Sequence, residues 1–412
     1  MPGEPRRVAF FTNTFAPDVN GVAHVVKAFR QELQRRGLEV YVFAPAPRGQ
    51  NPPRQGTAGP RDDPLVVRFP SLPLPNLDYA LALPFSRTVS RVLRQVSFDL
   101  IHTHHPLWVG HWGARYARRA GRPLVTTIHT HYELFAPMVP LPRSLVEHYL
   151  RAKVRRYCNG CDLVTTPAAS NQTRLEQSGV VRPVVVVPNP VDLGLFEHAD
   201  GGPVRERLGL QGKFVLGYLG RLSPEKKLRV VVQAAALVCR RRQDAHLVIV
   251  GGGTVRQEVQ AAVRELGLEG RSTLVGPVPH EQVPEYQAAF DVFLTASLGE
   301  TQPLAYAEAL AVGTPVIAVV GLGAVDMIED GVNGFLVNRE GAAEAMAETV
   351  LRLAGDPQLR DRMSRQARSS ARRYHITEAA DRLLEAYSQA LEEHARRHGA
   401  SEDRASRPTR GE

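Results

Sequence analysis

The stretch Phe214-Val215-Leu216-Gly217-Tyr218-Leu219-Gly220-Arg221-Leu222-Ser223-Pro224-Glu225-Lys226-Lys227 decides the fold. Its first six residues make an apolar run of the length of a buried parallel strand, and a glycine then opens a loop carrying a guanidinium and an ammonium. A helical pattern through Val230 to Val238 follows, then the strand-like Leu247-Val248-Ile249-Val250 and the run Gly251-Gly252-Gly253. Strand, loop, helix and strand in that order predict a parallel sheet covered by helices. Cations projecting from a strand-to-helix loop suit a phosphate group.

Downstream, Asp291-Val292-Phe293-Leu294 and Pro315-Val316-Ile317-Ala318-Val319 supply further strands, each preceded by a helical pattern. Between them lies Ser297-Leu298-Gly299-Glu300-Thr301-Gln302-Pro303-Leu304-Ala305-Tyr306-Ala307-Glu308, with seven residues between its two carboxylates. Glu308 falls in an apolar segment expected to be a largely buried helix, where a carboxylate without hydroxyl or amide donors is costly. A nucleotide-sugar fits the combination: its diphosphate meets the cations, and vicinal hydroxyls on ribose and hexose meet the carboxylates.

Upstream, Val8-Ala9-Phe10-Phe11 is a strand candidate, and after Asn20-Gly21 the residues Val22, Val25, Val26, Phe29 and Leu33 recur at helical spacing before the strand Glu39 to Phe43. The unit repeats as Asp99-Leu100-Ile101-His102, an Ala/Arg-rich helix ending near Gly121, and Leu124 to His129. Arg48 to Pro64 reads as an exposed loop. A break at Val187 to Asp192, followed by linker-like Asp200-Gly201-Gly202-Pro203, places the domain boundary. The expected organisation is residues 1–195, 196–375, an amphipathic segment 376–398 with Ala379, Leu383, Leu384, Tyr387 and Leu391 on one stripe, and a disordered tail 399–412.

These residues resemble the retaining glycosyltransferases of family 4, which share a Gly-Arg loop with a downstream Lys and a Glu-x7-Glu motif. The opening Phe10 to Ala23 is similar to the N-terminal signature of the subgroup that glycosylates diacylglycerol, and Glu300-Thr301-Gln302 is similar to that subgroup's form of the motif. The resemblance covers roughly residues 6 to 390. It implies an α/β fold of two doubly wound Rossmann-like domains facing across a cleft (GT-B), with the C-terminal helix crossing back to the first domain. It further implies that Arg221 and Lys226 bind the diphosphate and offset the charge growing on it. Glu300 would hold hydroxyls of the transferred sugar and Glu308 those of ribose, with Thr301, Gln302 and Leu304 completing the donor site. Asn20 and Gly21, at the start of the first helix, would meet the phosphates or the reacting sugar, and His129 would lie beside the transferring sugar.

The implied reaction moves a hexose, glucose being the first expectation, to a lipid hydroxyl such as that of diacylglycerol. The resemblance implies retention by same-face displacement, with no metal or other cofactor. Two departures stand out: Pro303 replaces the family's usual glycine and has no N–H to offer the hexose, and the Asn20-Gly21 loop has one glycine where many members have two. The rival readings are a GDP-mannose-dependent mannosyltransferase with a soluble or polyprenyl-linked acceptor, and a nucleotide-sugar-binding protein without turnover.

Composition bounds these readings. The chain has 412 residues, enough for two ordinary cores. No run approaches the ~18–20 apolar residues of a membrane span, and no secretory segment opens the sequence, so the expected location is cytoplasmic, peripherally associated with the inner face of the membrane. Cys158, Cys161 and Cys239 cannot build a disulfide framework, and Cys158-Asn159-Gly160-Cys161 lacks the second half of a zinc site. His102, His104, His105 and His131 are crowded, yet no carboxylate stands at a diagnostic spacing, so packing or acceptor contacts are expected there rather than a metal.

Net charge is +9, and residues 1–195 carry 24 Lys/Arg against 13 Asp/Glu. A basic first half points to an anionic partner. Aromatic residues are not interleaved with the basic ones as in nucleic-acid modules, which argues against nucleic acid. The segment Pro140 to Tyr157, with Leu141, Leu145, Tyr149 and Val154 amid Arg143, Arg151, Lys153, Arg155 and Arg156, is the expected contact with an anionic membrane surface.

Overall fold

The computed structural model describes residues 5–18, 20–47, 63–73, 80–83, 86–133, 136 and 141–405, with backbone alone for 399–405. The expected loop from Arg48 falls outside the described residues except for Asp63 and Pro64, as does Pro140. The chain divides into two compact units, residues 1–190 joined by 376–412, and Val191–His375.

The first unit holds strands β1 (Arg7–Phe11), β2 (Glu39–Pro45), β3 (Val66–Phe69), β4 (Ser71–Pro73), β5 (Ala80–Ala82), β6 (Leu100–Thr103), β7 (Leu124–Thr127), β8 (Leu163–Thr166) and β9 (Val184–Val186). Seven of them form a parallel sheet in the order β3-β2-β1-β6-β7-β8-β9, and β4 and β5 pair as an antiparallel ribbon. Its helices are α1 (Gly21–Arg35), α2 (Arg87–Gln95), α3 (Val109–Ala120), α4 (Arg143–Asn159) and α5 (Ala169–Gln177). The second unit holds α6 (Gly202–Arg207), β10 (Phe214–Leu219), α7 (Leu228–Arg241), β11 (Ala245–Val250), α8 (Arg256–Glu265), β12 (Ser272–Gly276), α9 (Val283–Ala288) and β13 (Val292–Thr295). It continues through α10 (Leu304–Ala311), β14 (Val316–Val319), α11 (Leu322–Met327), β15 (Gly334–Val337), α12 (Ala342–Gly355) and α13 (Pro357–Ala371). Its parallel sheet runs β12-β11-β10-β13-β14-β15.

Strands with apolar residues on both faces are buried on both faces, as β10 shows with five of its six residues buried. Two hydrophobic clusters result in the second unit, one through α7, α8 and α12 and the other through α9, α10 and α13. Doubly wound packing follows from that sequence pattern.

Three boundaries differ from the sequence expectation. The break falls after Pro190 rather than 195, because Val191 already pairs with His375 and packs into the second unit's core. Asp200 to Pro203 is no linker: a Cβ on Gly201 would lie 2.4 Å from the Ala289 nitrogen, so this turn is packed tightly against the end of α9. The last helix, α14 (Ile376–Ala405), runs past Gly399, where disorder is expected, so residues 399–405 are helical in backbone. Residues 406–412 lie outside the described residues.

Helix α14 belongs to the first unit, and polar contacts fix it there. Arg36 pairs with Asp381 and donates to the Thr377 carbonyl at 3.0 Å. Arg397 donates to buried Asp162 at 2.6 Å, and Asp162 also accepts from the Leu124 N–H at 2.9 Å. Fully buried Tyr387 bonds His102 Nδ1 through its hydroxyl at 2.8 Å. Tyr387→Phe leaves a buried ring nitrogen without its partner, which costs about 1–3 kcal/mol. The expected outcome is a lower urea midpoint for the first unit at unchanged m-value, and an unaltered midpoint would refute this role for the contact.

Candidate active site

In both sheets candidate residues follow strands where the winding direction reverses, while His129 follows β7, one strand beyond that point in the first sheet. β10 pairs with β11 on one side and β13 on the other, and β1 pairs with β2 and β6. Loops leaving the carboxyl ends of such strand pairs form the usual ligand crevice of a doubly wound sheet.

The loop after β10 is held by its backbone. Gly220 has φ +149°, which side chains other than glycine's rarely allow. Its N–H donates to the Val250 carbonyl at 3.0 Å, and the Leu222 N–H donates to that of Gly252 at 2.8 Å. A Cβ at Gly251 would stand 1.9 Å from the Gly220 carbonyl oxygen, so the two loops approach as closely as they do only because that position is glycine. The Tyr218 hydroxyl donates to the Arg221 carbonyl at 3.0 Å. From this frame the Arg221 guanidinium donates to Glu225 at 3.2 Å, and the Ser223 hydroxyl donates to the same carboxylate. Lys226 lies at the end of the short turn Pro224–Lys226, and its ammonium is in contact with the Glu300 carboxylate. Burial lowers the Lys226 ammonium to about 8, with Glu225 pulling it up and Arg221 pressing it down.

The loop after β13 supplies the acidic side. The Ser297 hydroxyl donates to Glu300 at 3.4 Å, and the Gly323 N–H donates to the Glu300 carbonyl at 2.9 Å. Thr301 and Gln302 are buried. Pro303 precedes α10 and provides no side-chain cap, and the Tyr306 N–H of the first turn donates to the Pro303 carbonyl at 3.2 Å. Glu308 is buried in that helix, and burial alone pushes its carboxyl up to about 7. It makes no side-chain hydrogen bond or ion pair among the described residues. The structure thus joins Lys226 to Glu300 and sets Arg221 in the same loop as Lys226.

Asn20, Gly21 and His129 belong to the first unit. Asn20 caps α1 by accepting from the Ala23 N–H at 3.0 Å, and its amide donates to the Thr14 hydroxyl at 2.6 Å. Gly21 has open space where a side chain would stand. His129 lies just past β7, 3.1 Å through Nε2 from His104 Nδ1. Burial, then His105 and His102, push its imidazole far down, against a hydrogen bond with Asn189. His102 is held at about 3, and His105 and His131 at about 4, chiefly by burial, so the cluster is neutral near pH 7. His104 Nε2 and both nitrogens of His131 find no partner among the described residues. No group of three or more potential metal ligands occurs among the described residues.

The expected membrane segment is corrected in part. Leu141, Leu145 and Tyr149 are each more than half exposed on one stripe, but Val154 is buried in the core because it faces Ile128 and Val164 across the helix–sheet layer. Arg143 pairs with Glu147 at 2.6 Å, Arg151 lies 3.6 Å from Glu133, Lys153 stands over the Tyr149 ring, and Arg155 and Arg156 are exposed. Cys158 and Cys161 are buried free thiols, both pushed up by burial, Cys158 to about 12. Sequence reasoning did not assign roles to Glu225, Tyr218 or the triple glycine; the last was the one with a visible signal, a glycine run directly after a strand.

Two pH effects follow. Each buried histidine is neutral when folded and titrates near 6.5 when unfolded, so between about pH 6.5 and 4 the unfolded chain holds more protons and stability falls with falling pH, by up to about 1.4 kcal/mol per pH unit per histidine. Glu308 acts in the opposite sense between its ordinary value and about 7, in the second unit. His102→Gln is expected to flatten the pH dependence of urea unfolding by about one proton, and an unchanged slope would refute this. Separately, Lys226 loses its charge above about pH 8, so nucleoside diphosphate affinity is expected to fall from pH 7 to 9.5. Lys226→Arg should abolish that decline in calorimetric titrations with UDP and GDP, and a flat wild-type profile would sink the assignment.

Residues 19–195 match Glycosyltransferase Family 4, and residues 204–370 match Glycosyl transferases group 1. A D-inositol 3-phosphate glycosyltransferase of Acidothermus cellulolyticus is 32% identical over 98% of this chain and 95% of its own length. An alpha-monoglucosyldiacylglycerol synthase of Streptococcus pneumoniae is 28% identical over 76% of this chain and 70% of its own. Among solved structures, Anabaena HepE in complex with UDP and glucose superposes with TM-score 0.72 at 22% identity, covering 93% of this chain and 99% of that one. That likeness supports the two-unit GT-B fold. The chain belongs to the family 4 glycosyltransferases and is an enzyme of sugar transfer.

Proposed function

We propose that the protein moves a hexose, with glucose the first candidate, from a nucleoside diphosphate to a lipid hydroxyl of the diacylglycerol kind, retaining the anomeric configuration. The observation that carries this reading is the partly buried Lys226 held by the partly buried Glu300 beside the Arg221 loop, with a buried carboxyl, Glu308, lacking a partner of its own. Cations there favour a diphosphate, and both carboxyls accept from hydroxyls. A glucosylated diacylglycerol stands in the name of one protein compared above, and another was solved with UDP and glucose bound, which supports the acceptor and donor classes.

The chemistry follows from these groups. The bond from the anomeric carbon to the diphosphate oxygen breaks while the acceptor oxygen bonds the same face, and the leaving phosphate takes the acceptor's proton. Charge grows on the diphosphate as it leaves, so Arg221 and Lys226 act more strongly in the transition state than in the ground state. Two resident cations give the diphosphate the compensation that a metal ion supplies elsewhere, so the proposed reaction needs no cofactor. His129 is proposed to lie beside the transferring sugar, and Asn20 and Gly21 to meet its phosphates. The enzyme is proposed to work at the inner face of the membrane as a peripheral protein; no described helix is long and apolar enough to cross one.

A panel of UDP- and GDP-sugars against diacylglycerol in mixed anionic vesicles tests the reading, with the product's anomeric configuration determined. The expected result is lipid glycoside of retained configuration, with kcat/KM lowered about 10²- to 10³-fold in Arg221→Gln or Lys226→Gln. Transfer only from GDP-mannose to a soluble or polyprenyl-linked acceptor would replace this assignment. Equal, negligible sugar release by wild type and Glu300→Gln would mark a binding protein without turnover.

A further inference from the structure

Among the described residues of the first unit, unneutralised positive charge also gathers on α2 and α3. Arg87, Arg91 and Arg94 on α2 and Arg115, Arg118 and Arg119 on α3 are all exposed, and neither helix contains an acidic residue. No described carboxylate forms an ion pair with any of the six, whereas two of the cations of α4 sit against Glu147 and Glu133. The one acid in the segment joining the two helices, Asp99, accepts from the backbone N–H groups of Arg6 and Arg7. Within each helix the guanidinium groups stand one to four residues apart, and like charges at such spacings repel one another unless an anion lies among them.

Between the same two helices runs a groove of about 620 Å³. Phe11 and Phe69 form its floor, Leu93 one wall, and Trp112 and Tyr116 the other, while the three arginines of α3 also line it. Trp112 packs on Phe69 with ring centroids 4.9 Å apart. The volume falls within the roughly 300–1,000 Å³ of small-molecule sites.

We propose that the α2–α3 face is a lipid-docking surface, its arginines taking anionic headgroups and its groove taking an acyl chain. Charge and apolarity select that occupant together. A polyanion without a hydrocarbon tail satisfies the arginines but leaves the groove in water, and a neutral lipid fills the groove but leaves the guanidinium groups opposed only to one another. A single anionic amphiphile meets both demands. This deepens the membrane part of the proposed function and moves its anchor from α4 to α2 and α3.

The test uses the full chain, whose two tryptophans are Trp108 and Trp112. Trp108→Phe leaves Trp112 as the sole reporter, read against phosphatidylglycerol vesicles carrying bromine on their acyl chains. Quenching of Trp112 is expected with these vesicles and not with unbrominated ones. Replacing Arg115, Arg118 and Arg119 by Gln is expected to weaken partitioning about 100-fold, at about fivefold for each arginine, while the same change at Arg151, Arg155 and Arg156 shifts it less than twofold.

Unquenched Trp112 in sedimented protein overturns the proposal, as does loss of binding in the α4 variant alone. Tight, salt-dependent binding to single-stranded RNA without vesicle binding overturns it in favour of a nucleic-acid surface. Absence of any vesicle binding defeats both the docking face and the peripheral-membrane reading. Calorimetric titration with UDP and GDP, run on every variant, tests the donor reading separately and serves as the folding control.

Discussion

The close crossing of two backbones holds the loop after β10 in place. The Gly220 carbonyl and the Gly251 α-carbon approach so nearly that a methyl group on Gly251 would lie within covalent-scale distance of an oxygen, and backbone hydrogen bonds stitch the flanking residues together. Arg221 and Lys226 therefore hang from a rigid strap rather than from a mobile loop. Rigidity matters because a preoriented cation needs little reorganisation when the leaving group becomes charged, whereas a floppy one would spend interaction energy on ordering itself.

The same loop shows how opposed charges are stored before a ligand arrives. Glu225 takes up Arg221 and Glu300 takes up Lys226, so neither cation is left bare in a partly buried setting. The Arg221–Glu225 pair is nearly half exposed, and exposed pairs contribute at most about 1 kcal/mol. So weak a pair would yield readily to the diphosphate proposed to bind there. The Lys226–Glu300 contact is more buried, so exchange there carries a larger electrostatic consequence and couples the loop after β10, proposed to bind the diphosphate, to the one proposed to grip the sugar.

Much of this was legible in the residues. Continuous apolar runs such as Phe214 to Leu219 and Val8 to Phe11 are strands because parallel sheets bury both faces, and Asn20 and Gly121 stand at the start and stop of helices as their chemistry predicts. Glu308 was readable as a buried helical carboxylate from its apolar neighbours alone. Val66–Phe69, Val184–Val186 and Ser272–Gly276 were not: these strands are only partly buried, and tertiary pairing decides them. Val154 misled for a related reason, since a helix of mean polar character with both exposed and buried apolar residues presents no single stripe. The distribution of cations between α4 and the α2–α3 pair depends on which carboxylates lie nearby in space, and no one-dimensional spacing encodes that.

The insertion of one unit within the other has a consequence for how the chain matures. Tyr387, which reaches His102, and Arg397, which secures Asp162, emerge from the ribosome only after the whole of Val191–His375 has been made. The later-synthesised unit is complete in sequence first. Its elder companion must wait, with an imidazole and a carboxylate at its heart lacking these partners, until the final helix is released to close it.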